Sequence, residues 1–286
     1  MTSLIPDACD CHVHVFGPAA RYPFDPARVY TPGDASVAEL TALHRRLGIA
    51  RVVLVQASVY GTDNARLLDA LAELGPQARA VAVIGEETGD EDLARFHAAG
   101  VRGVRVNIAT GGMADPATAL RLLRWNAARV APLGWHVQVL TRPGVIAALG
   151  PDLASLSAPL VVDHLGLPEL AAGPEQPGFA TLCDLVRTGR VHVKLSAIER
   201  QTGAGRGERL APFIRALVAA NPAALVWGSD WPHTGGGRGL GRATTDIEPF
   251  EALDDADALA ALTAAVPDKA TRTAILAANP ARLYDF

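Results

Sequence analysis

The sequence predicts a (β/α)8 barrel of the α/β class, and two features of its hydropathy pattern carry that prediction. Short apolar segments recur eight times along the 286 residues, and amphipathic stretches with helical spacing lie between them. The segments are nearly continuous runs of valine, leucine and isoleucine, as in strands that are buried on both faces. Eight such strand–helix units favour a closed barrel over the alternative, an open doubly wound sheet.

The predicted elements follow one another at barrel spacing. The strands are Ala8–Val15, Arg51–Gln56, Arg79–Ile84, Gly103–Val106, Trp135–Leu140, Leu160–His164, Val191–Leu195 and Leu225–Ser229. The helices are Ser36–Leu47, Asn64–Leu74, Asp90–Ala99, Pro116–Val130 and Arg209–Ala220, with two more near Ile247–Ala265 and Asp268–Ala278. Because no linker or internal repeat divides the chain, we expect one barrel domain over residues 1–286.

Composition excludes several classes of function. The chain has 26 basic and 30 acidic residues without a basic run, which argues against nucleic acid as a partner. It has no apolar stretch of about 18 residues and no signal-peptide pattern, so we expect a soluble cytoplasmic protein without a membrane partner. Its three cysteines are too few for a disulfide framework and are predicted to be buried thiols. We expect a monomer or a small homo-oligomer.

The first strand ends in two histidines. Residues two apart in a strand share a face, so His12 and His14 are expected to point together into the mouth of the barrel. Two adjacent imidazoles can bind a metal or donate hydrogen bonds to an oxyanion. Alternatively, one caps the strand and the other is exposed to solvent.

Two later strands also end in titratable residues. The sixth ends in Asp163-His164, and the eighth is followed by Asp230 within WGSDWPH (227–233). Asp230 could be a general base, a metal ligand or only a cap for the loop that follows. Because three strands converge in this way at the catalytic end of a barrel, we predict an active site there.

These motifs carry a resemblance to a known family. Asp10–His14, VVDHLGLP (161–168) and WGSDWPH (227–233), with VQASVYGTDN (55–64), GVRGVRVN (100–107), GWHV (134–137) and NPARLY (279–284), occur in one order along the chain. The pattern resembles the lactonase branch of the amidohydrolase superfamily (amidohydrolase family 2), the branch of the 2-pyrone-4,6-dicarboxylate hydrolases. The resemblance implies hydrolysis of a small carboxylated lactone, either a pyrone dicarboxylate or a sugar-acid lactone.

The resemblance also implies roles for individual residues. Asp230 would activate water, while three histidines would polarise the lactone carbonyl and stabilise the oxyanion: His12, His14 and His164. The substrate carboxylate would be held by Arg105, Ser58, Tyr30 and Arg200, and we place His233 in the same substrate-binding set. Arginine suits this task because its planar fork binds two carboxylate oxygens at once. A structural salt bridge is the alternative for Arg105.

Two departures from the family pattern affect the substrate and the metal. No arginine occurs in residues 108–112, and Leu140 ends the fifth strand where relatives have a polar residue, which puts a dicarboxylate substrate in doubt. Arg105 and Leu140 also occupy positions where metal-dependent members carry ligands. We therefore expect no metal cofactor and exclude a binuclear site. A single zinc ion on His12, His14 and Asp230, with His164, is the alternative.

Other functions and segments remain open at this point. The alternative functions are a zinc-dependent non-oxidative decarboxylase of the same superfamily and a catalytically silent ligand-binding barrel. The glycine-rich loop 234–245 is predicted to be a solvated loop or a lid over the site. Among the remaining histidines, His136 and His192 are predicted to be structural, and His44 and His97 to be solvated.

Overall fold

A computed structural model describes residues 5–109, 115–235 and 241–286. Eight strands form one parallel sheet in which each strand pairs with the next along the chain. The strands are β1 Cys9–Val13, β2 Arg51–Val55, β3 Ala78–Ala82, β4 Val101–Asn107, β5 His136–Leu140, β6 Leu160–Val162, β7 Val191–Leu195 and β8 Leu225–Trp227. The predicted (β/α)8 architecture is confirmed.

The barrel closes where the ends of β1 and β8 meet. The backbone N–H of Asp230 donates to the carbonyl of His12 over 2.8 Å, and the N–H of His14 donates to the carbonyl of Trp231 over 2.9 Å. Closure therefore brings the two chemically richest segments of the sequence side by side at the carboxyl ends of the strands, where barrel enzymes place their active sites.

Helices surround the strands. They are α1 Val37–Leu47, α2 Ala65–Leu74, α3 Asp90–Ala99, α4 Pro116–Val130, α5 Pro143–Leu149, α6 Pro151–Ala154, α7 Pro177–Arg187, α8 Ile198–Thr202, α9 Ala211–Ala220, α10 Asp255–Ala265, α11 Lys269–Thr273 and α12 Asn279–Tyr284. Their apolar faces cover outward strand residues such as Leu54 and Val104 in the main core. Within the described residues, no helix is long and apolar enough to span a lipid bilayer.

The predicted helix Ile247–Ala265 is wrong in its first half. Ile247–Glu248 is a two-residue strand that pairs in parallel with Thr31–Pro32, and the helix begins only at Asp255. Pro249 disfavours a helical conformation at the residue before it, and the Asp254 side chain caps the helix at its actual start. The pairing ties the proline-rich segment after β1 to the segment that follows the glycine-rich loop.

The last predicted helix is longer than the sequence pattern indicated. A π-helical turn over Ala274–Ala278 joins α11 to α12, so helical structure continues to Tyr284. Tyr284 packs against Cys9 and Cys11 inside the barrel. The two cysteines are buried free thiols, as expected, and they belong to an apolar filling at the amino-terminal end of the strands. The predicted site residues lie at the opposite end of the strands.

Candidate active site

A β-bulge in β1 turns the two histidines into the barrel. Asp10 lies opposite Val52 and Val13 lies opposite Leu54. Between these two pairs β1 advances by three residues and β2 by only two. Cys11 already faces the interior, and unbroken alternation would send the next residue, His12, outward. The extra residue resets the alternation, because Val13 packs outside against the helices while His12 and His14 face inward.

Asp230 is the point on which three imidazoles converge. Its Oδ1 lies 3.6 Å from Nε2 of His12, 3.9 Å from Nε2 of His14 and 3.7 Å from Nε2 of His164. These distances are too long for hydrogen bonds and suit groups that share an intervening atom. Asp230 has a φ of 73°, in the left-handed region, and its segment is held by the backbone bond to His12. Such strain is typical of functional sites.

Burial favours the uncharged form of the three histidines. Burial lowers the pKa of His14 to about 3 and holds the pKa values of His12 and His164 well below the usual imidazole range. Nδ1 of His14 lies 2.8 Å from the carbonyl oxygen of Val55, so it carries the proton and donates. The Nε2 atom of His14 therefore presents a lone pair to Asp230.

An ion pair joins Asp230 to Arg200 of α8. Nε of Arg200 lies 2.9 Å from Oδ2 of Asp230, and Nη1 of Arg200 donates to the carbonyl of Thr234 over 3.2 Å. Burial raises the pKa of Asp230 above the usual aspartate value, while the Arg200 charge opposes that rise. Oδ2 of Asp230 is therefore ion-paired with Arg200, and Oδ1 faces the three imidazoles.

A second ion pair lies beneath His12. Nε of Arg105 is 3.2 Å from Oδ2 of Asp163, and Oδ1 of Asp163 is 3.3 Å from Nδ1 of His12. Burial alone would raise the pKa of Asp163, but the charges of Arg105 and Lys194 hold it below the usual value. Arg105 faces inward between Val104 and Val106, as the alternation predicts, and it forms the salt bridge while also lining the pocket.

The predicted residues surround one pocket at the mouth of the barrel. The side chains of Tyr30, Ser58 and Thr234 line it together. Leu140 is on the wall as well. The lining residues are His14, Tyr30, Ala57, Ser58, Arg105, Asn107, Leu140, His164, Arg200, Asp230 and Thr234. His12 lies just beneath them and is fully buried.

A sequence model described as amidohydrolase matches residues 9–286. The chain belongs to the amidohydrolase family. It is 39% identical over 236 residues to a 2-pyrone-4,6-dicarboxylate hydrolase of Comamonas testosteroni, covering 79% of this chain and 77% of that protein. It is 34% identical over 281 residues to a 4-sulfomuconolactone hydrolase of Rhizobium radiobacter, covering 97% and 89%. The predicted family and the lactonase branch are confirmed.

A solved structure agrees with these relationships. The amidohydrolase superposes with a TM-score of 0.81 on an Acinetobacter baumannii protein crystallised with citric acid bound. The two chains are 26% identical, and the match covers 98% of this chain and 100% of that one.

The structure places one predicted substrate-binding residue of this amidohydrolase, His233, outside the pocket lining. Nε2 of His233 lies 3.2 Å from Oδ1 of Asp255, at the start of α10, and both side chains are buried. The Asp255 carboxylate raises the pKa of His233 although burial opposes it. The geometry therefore gives His233 a buried ion pair with Asp255, and its contact with substrate stays a prediction.

Sequence reasoning missed several groups that build this site. His44, expected to be solvated, is buried with Nε2 3.3 Å from Oδ2 of Asp10. Oδ1 of Asp10 accepts from the backbone N–H groups of His12 and Ser229, at 3.2 and 2.9 Å, and so fastens β1 to β8. For one further buried group, Lys194, the sequence did contain a signal, because a charged residue interrupts the apolar strand Val191–Leu195.

The amidohydrolase has a donor set that could hold one metal ion. Ligand atoms of His12, His14 and Asp230 lie within 4.8 Å of one another. Nδ1 of His14 donates to a backbone carbonyl, and Nδ1 of His12 faces a carboxylate, which is the outer contact usual for metal-binding histidines.

Part of the glycine-rich loop, residues 236–240, lies outside the described residues, so its predicted role as a lid remains a prediction.

Proposed function

We propose that this amidohydrolase hydrolyses a small carboxylated lactone, with Asp230 as the base that activates water. The observation that carries the proposal is a buried carboxylate that faces three neutral imidazoles and lies next to two guanidinium groups, Arg105 and Arg200. The names of the relatives support a lactone, and the citrate-bound structure supports an anionic ligand rich in carboxylates.

Asp230 is suited to remove a proton from water. A base must be ionised to act, and the bond from Arg200 favours the ionised form of a carboxylate whose pKa burial raises. The combination keeps Asp230 charged yet more basic than an exposed aspartate, which improves proton transfer near neutral pH. The space between Oδ1 of Asp230 and the imidazoles is where we place the attacking water.

The histidines divide into an acceptor and a donor. His14 has its proton on Nδ1, so its Nε2 can only accept, and we assign it to hold the attacking water. His164 has Nδ1 2.8 Å from the hydroxyl of Ser196, which can donate to it. That arrangement leaves a proton on Nε2 of His164, which lines the pocket and donates to the developing oxyanion.

Positive charge in the site comes from the arginines because the imidazoles are neutral. We assign the substrate carboxylate to Arg105 and to the hydroxyls of Ser58 and Tyr30, which line the same pocket. Arg200 would contact the substrate carboxylate in addition to its ion pair with Asp230. The apolar side chain of Leu140 offers no partner for a second carboxylate, so the proposal extends to lactones with only one.

We further propose that hydrolysis needs no divalent ion. Two guanidinium groups already flank the donor set, and they repel a cation while attracting an anionic substrate. If an ion binds, His12, His14 and Asp230 would hold it, and it would supply Lewis-acid polarisation.

Hydrolysis of defined lactones tests the proposal. The purified protein is assayed with 2-pyrone-4,6-dicarboxylate, 4-sulfomuconolactone, monocarboxylated sugar lactones and an uncharged lactone, before and after exhaustive chelation. We expect ring opening of at least one acidic lactone, faster than of the uncharged one and insensitive to chelation. Release of carbon dioxide without ring opening would favour the decarboxylase, and binding without turnover would favour a silent barrel. Activity lost on chelation and restored by zinc would overturn the metal-free step alone.

A further inference from the structure

Lys194 lies inside the barrel with its ammonium group fully enclosed. It is on β7, its side chain has no exposed surface, and Nζ donates to the carbonyl oxygen of Cys11 over 2.6 Å. Nζ also lies 5.8 Å from the centre of the Tyr284 ring. Burying an ammonium group is unfavourable unless partners compensate it, so a lysine here needs a reason.

The carbonyl that Lys194 binds belongs to the β1 bulge. Cys11 and His12 are the two residues that together face a single residue of β2, between the pairs Asp10–Val52 and Val13–Leu54. A bulge disrupts the ladder and leaves backbone groups in need of other partners. Lys194 supplies one such partner from β7, which is separated from β1 only by β8.

We propose that Lys194 is a positioning residue that holds the β1 bulge and thereby directs His12 and His14 into the active site. The inference rests on the proposed function for its catalytic consequence, but its structural part does not. Without the bulge, the strand would continue to alternate from Cys11, and both histidines would turn toward the helices.

The charge of Lys194 serves the same site in a second way. Asp163 is fully buried, and its Oδ1 is 3.3 Å from Nδ1 of His12. Arg105 and Lys194 are the cations that offset this carboxylate. An apolar side chain at position 194 therefore removes both a donor to the bulge and a counter-charge below His12.

Kinetics of Lys194 variants test the proposal, and the chain offers a matched control. Lys269 is its other lysine and is exposed, so Lys269→Met makes the same substitution away from the barrel interior. We expect Lys194→Met to lower kcat roughly 10- to 100-fold while KM changes less than about threefold, as for residues that orient catalytic groups. Lys194→Arg, which keeps a charged donor, should recover part of the loss, and Lys269→Met should match the parent protein.

A crystal structure of Lys194→Met separates this inference from the proposed function. We expect a changed β1 register or a displaced His12 ring, whether or not a lactone is turned over. An unchanged bulge and His12, or a kcat within twofold of the parent, would overturn the inference, as would equal losses in Lys194→Arg and Lys194→Met. If the methionine variant does not fold, Lys194→Leu, which also lacks a donor and a charge, is measured in the same two ways and decides by the same criteria. Absence of lactone turnover in the parent protein would count against the proposed function and leave the register as the deciding result.

Discussion

Nε of Arg200 lies 2.9 Å from Oδ2 of Asp230, so the proposed base is ion-paired before any substrate binds. A substrate carboxylate in the same pocket would attract the same guanidinium group. Arg200 therefore links the binding of an anionic substrate to the ionisation of Asp230.

This link predicts the behaviour of Arg200→Met. Hydrogen bonds to charged groups contribute about 1.5–3 kcal/mol, which corresponds to roughly 10- to 150-fold in kcat/KM. We expect a loss of that size with acidic lactones and a smaller one with an uncharged lactone, measured by steady-state kinetics. Arg200→Lys should lie between the parent and the methionine variant. Full activity of Arg200→Met on acidic lactones would contradict the role.

Arg105 is expected to act mainly on substrate binding. Because it lines the pocket, Arg105→Met should raise KM for acidic lactones by roughly 10- to 150-fold and change KM for an uncharged lactone much less. Arg102→Met is the matched control, since Arg102 lies on the same strand and pairs with Asp285 at the surface. Equal losses on charged and uncharged lactones would show that the ion pair of Arg105 with Asp163 is its only role.

Gly228 is required because the backbone of His12 passes close to it. A Cβ at position 228 would lie 2.7 Å from the His12 nitrogen, a clash with backbone that cannot be relieved by rotating a side chain. We expect Gly228→Ala to lower the free energy of unfolding by about 1–3 kcal/mol and to reduce kcat by displacing His12. Gly144→Ala is the control, because a Cβ there meets nothing within 4 Å. Chemical denaturation and kinetics of both variants check this, and equal behaviour would contradict it.

The buried histidines predict how stability depends on pH. Burial lowers the pKa of His14 and His136 to about 3 and that of His192 to about 4, whereas an unfolded chain binds these protons near pH 6.5. Between pH 6.5 and 4 the unfolded state binds more protons, so stability falls as pH falls, by about 1.4 kcal/mol per pH unit for each proton.

Urea denaturation at pH 7 and pH 5 measures that dependence. The free energy of unfolding should be lower at pH 5, and His192→Gln should make the dependence shallower by removing one of the excluded protons. A chain that is more stable at pH 5 than at pH 7 would contradict the assignment of neutral, buried imidazoles.

Periodicity and strand-end chemistry were enough to predict the barrel and the residues at its mouth. Asp230 and His164 could be placed because a polar residue that follows an apolar strand lies at the catalytic end of any such barrel. The same reasoning placed His12 and His14 inward, but the physical route was different. Simple alternation from the buried Cys9 and Cys11 would have turned them outward, and the bulge that corrects this leaves no mark in a hydropathy pattern.

What the sequence could not predict depends on contacts between distant segments. His233 follows Asp230 by three residues, yet its partner is Asp255, which only the folded loop brings near. Ile247–Glu248 became a strand because Thr31–Pro32 lies beside it, a pairing between segments more than 200 residues apart. Lys194 of β7 donates to Cys11 of β1 past the intervening strand, and such a contact depends on register rather than on local propensity.

The most direct test of the central claim is the kcat of Asp230→Asn on an acidic lactone that the parent protein hydrolyses. Asparagine keeps the size of the side chain, and its amide oxygen can still accept a hydrogen bond from Nε of Arg200. It cannot accept the proton of water at neutral pH. General-base catalysis contributes roughly 100- to 10,000-fold, so we expect kcat to fall by at least about 100-fold with an unchanged circular dichroism spectrum. A variant that folds and retains half of the parent kcat would show that Asp230 is not the base.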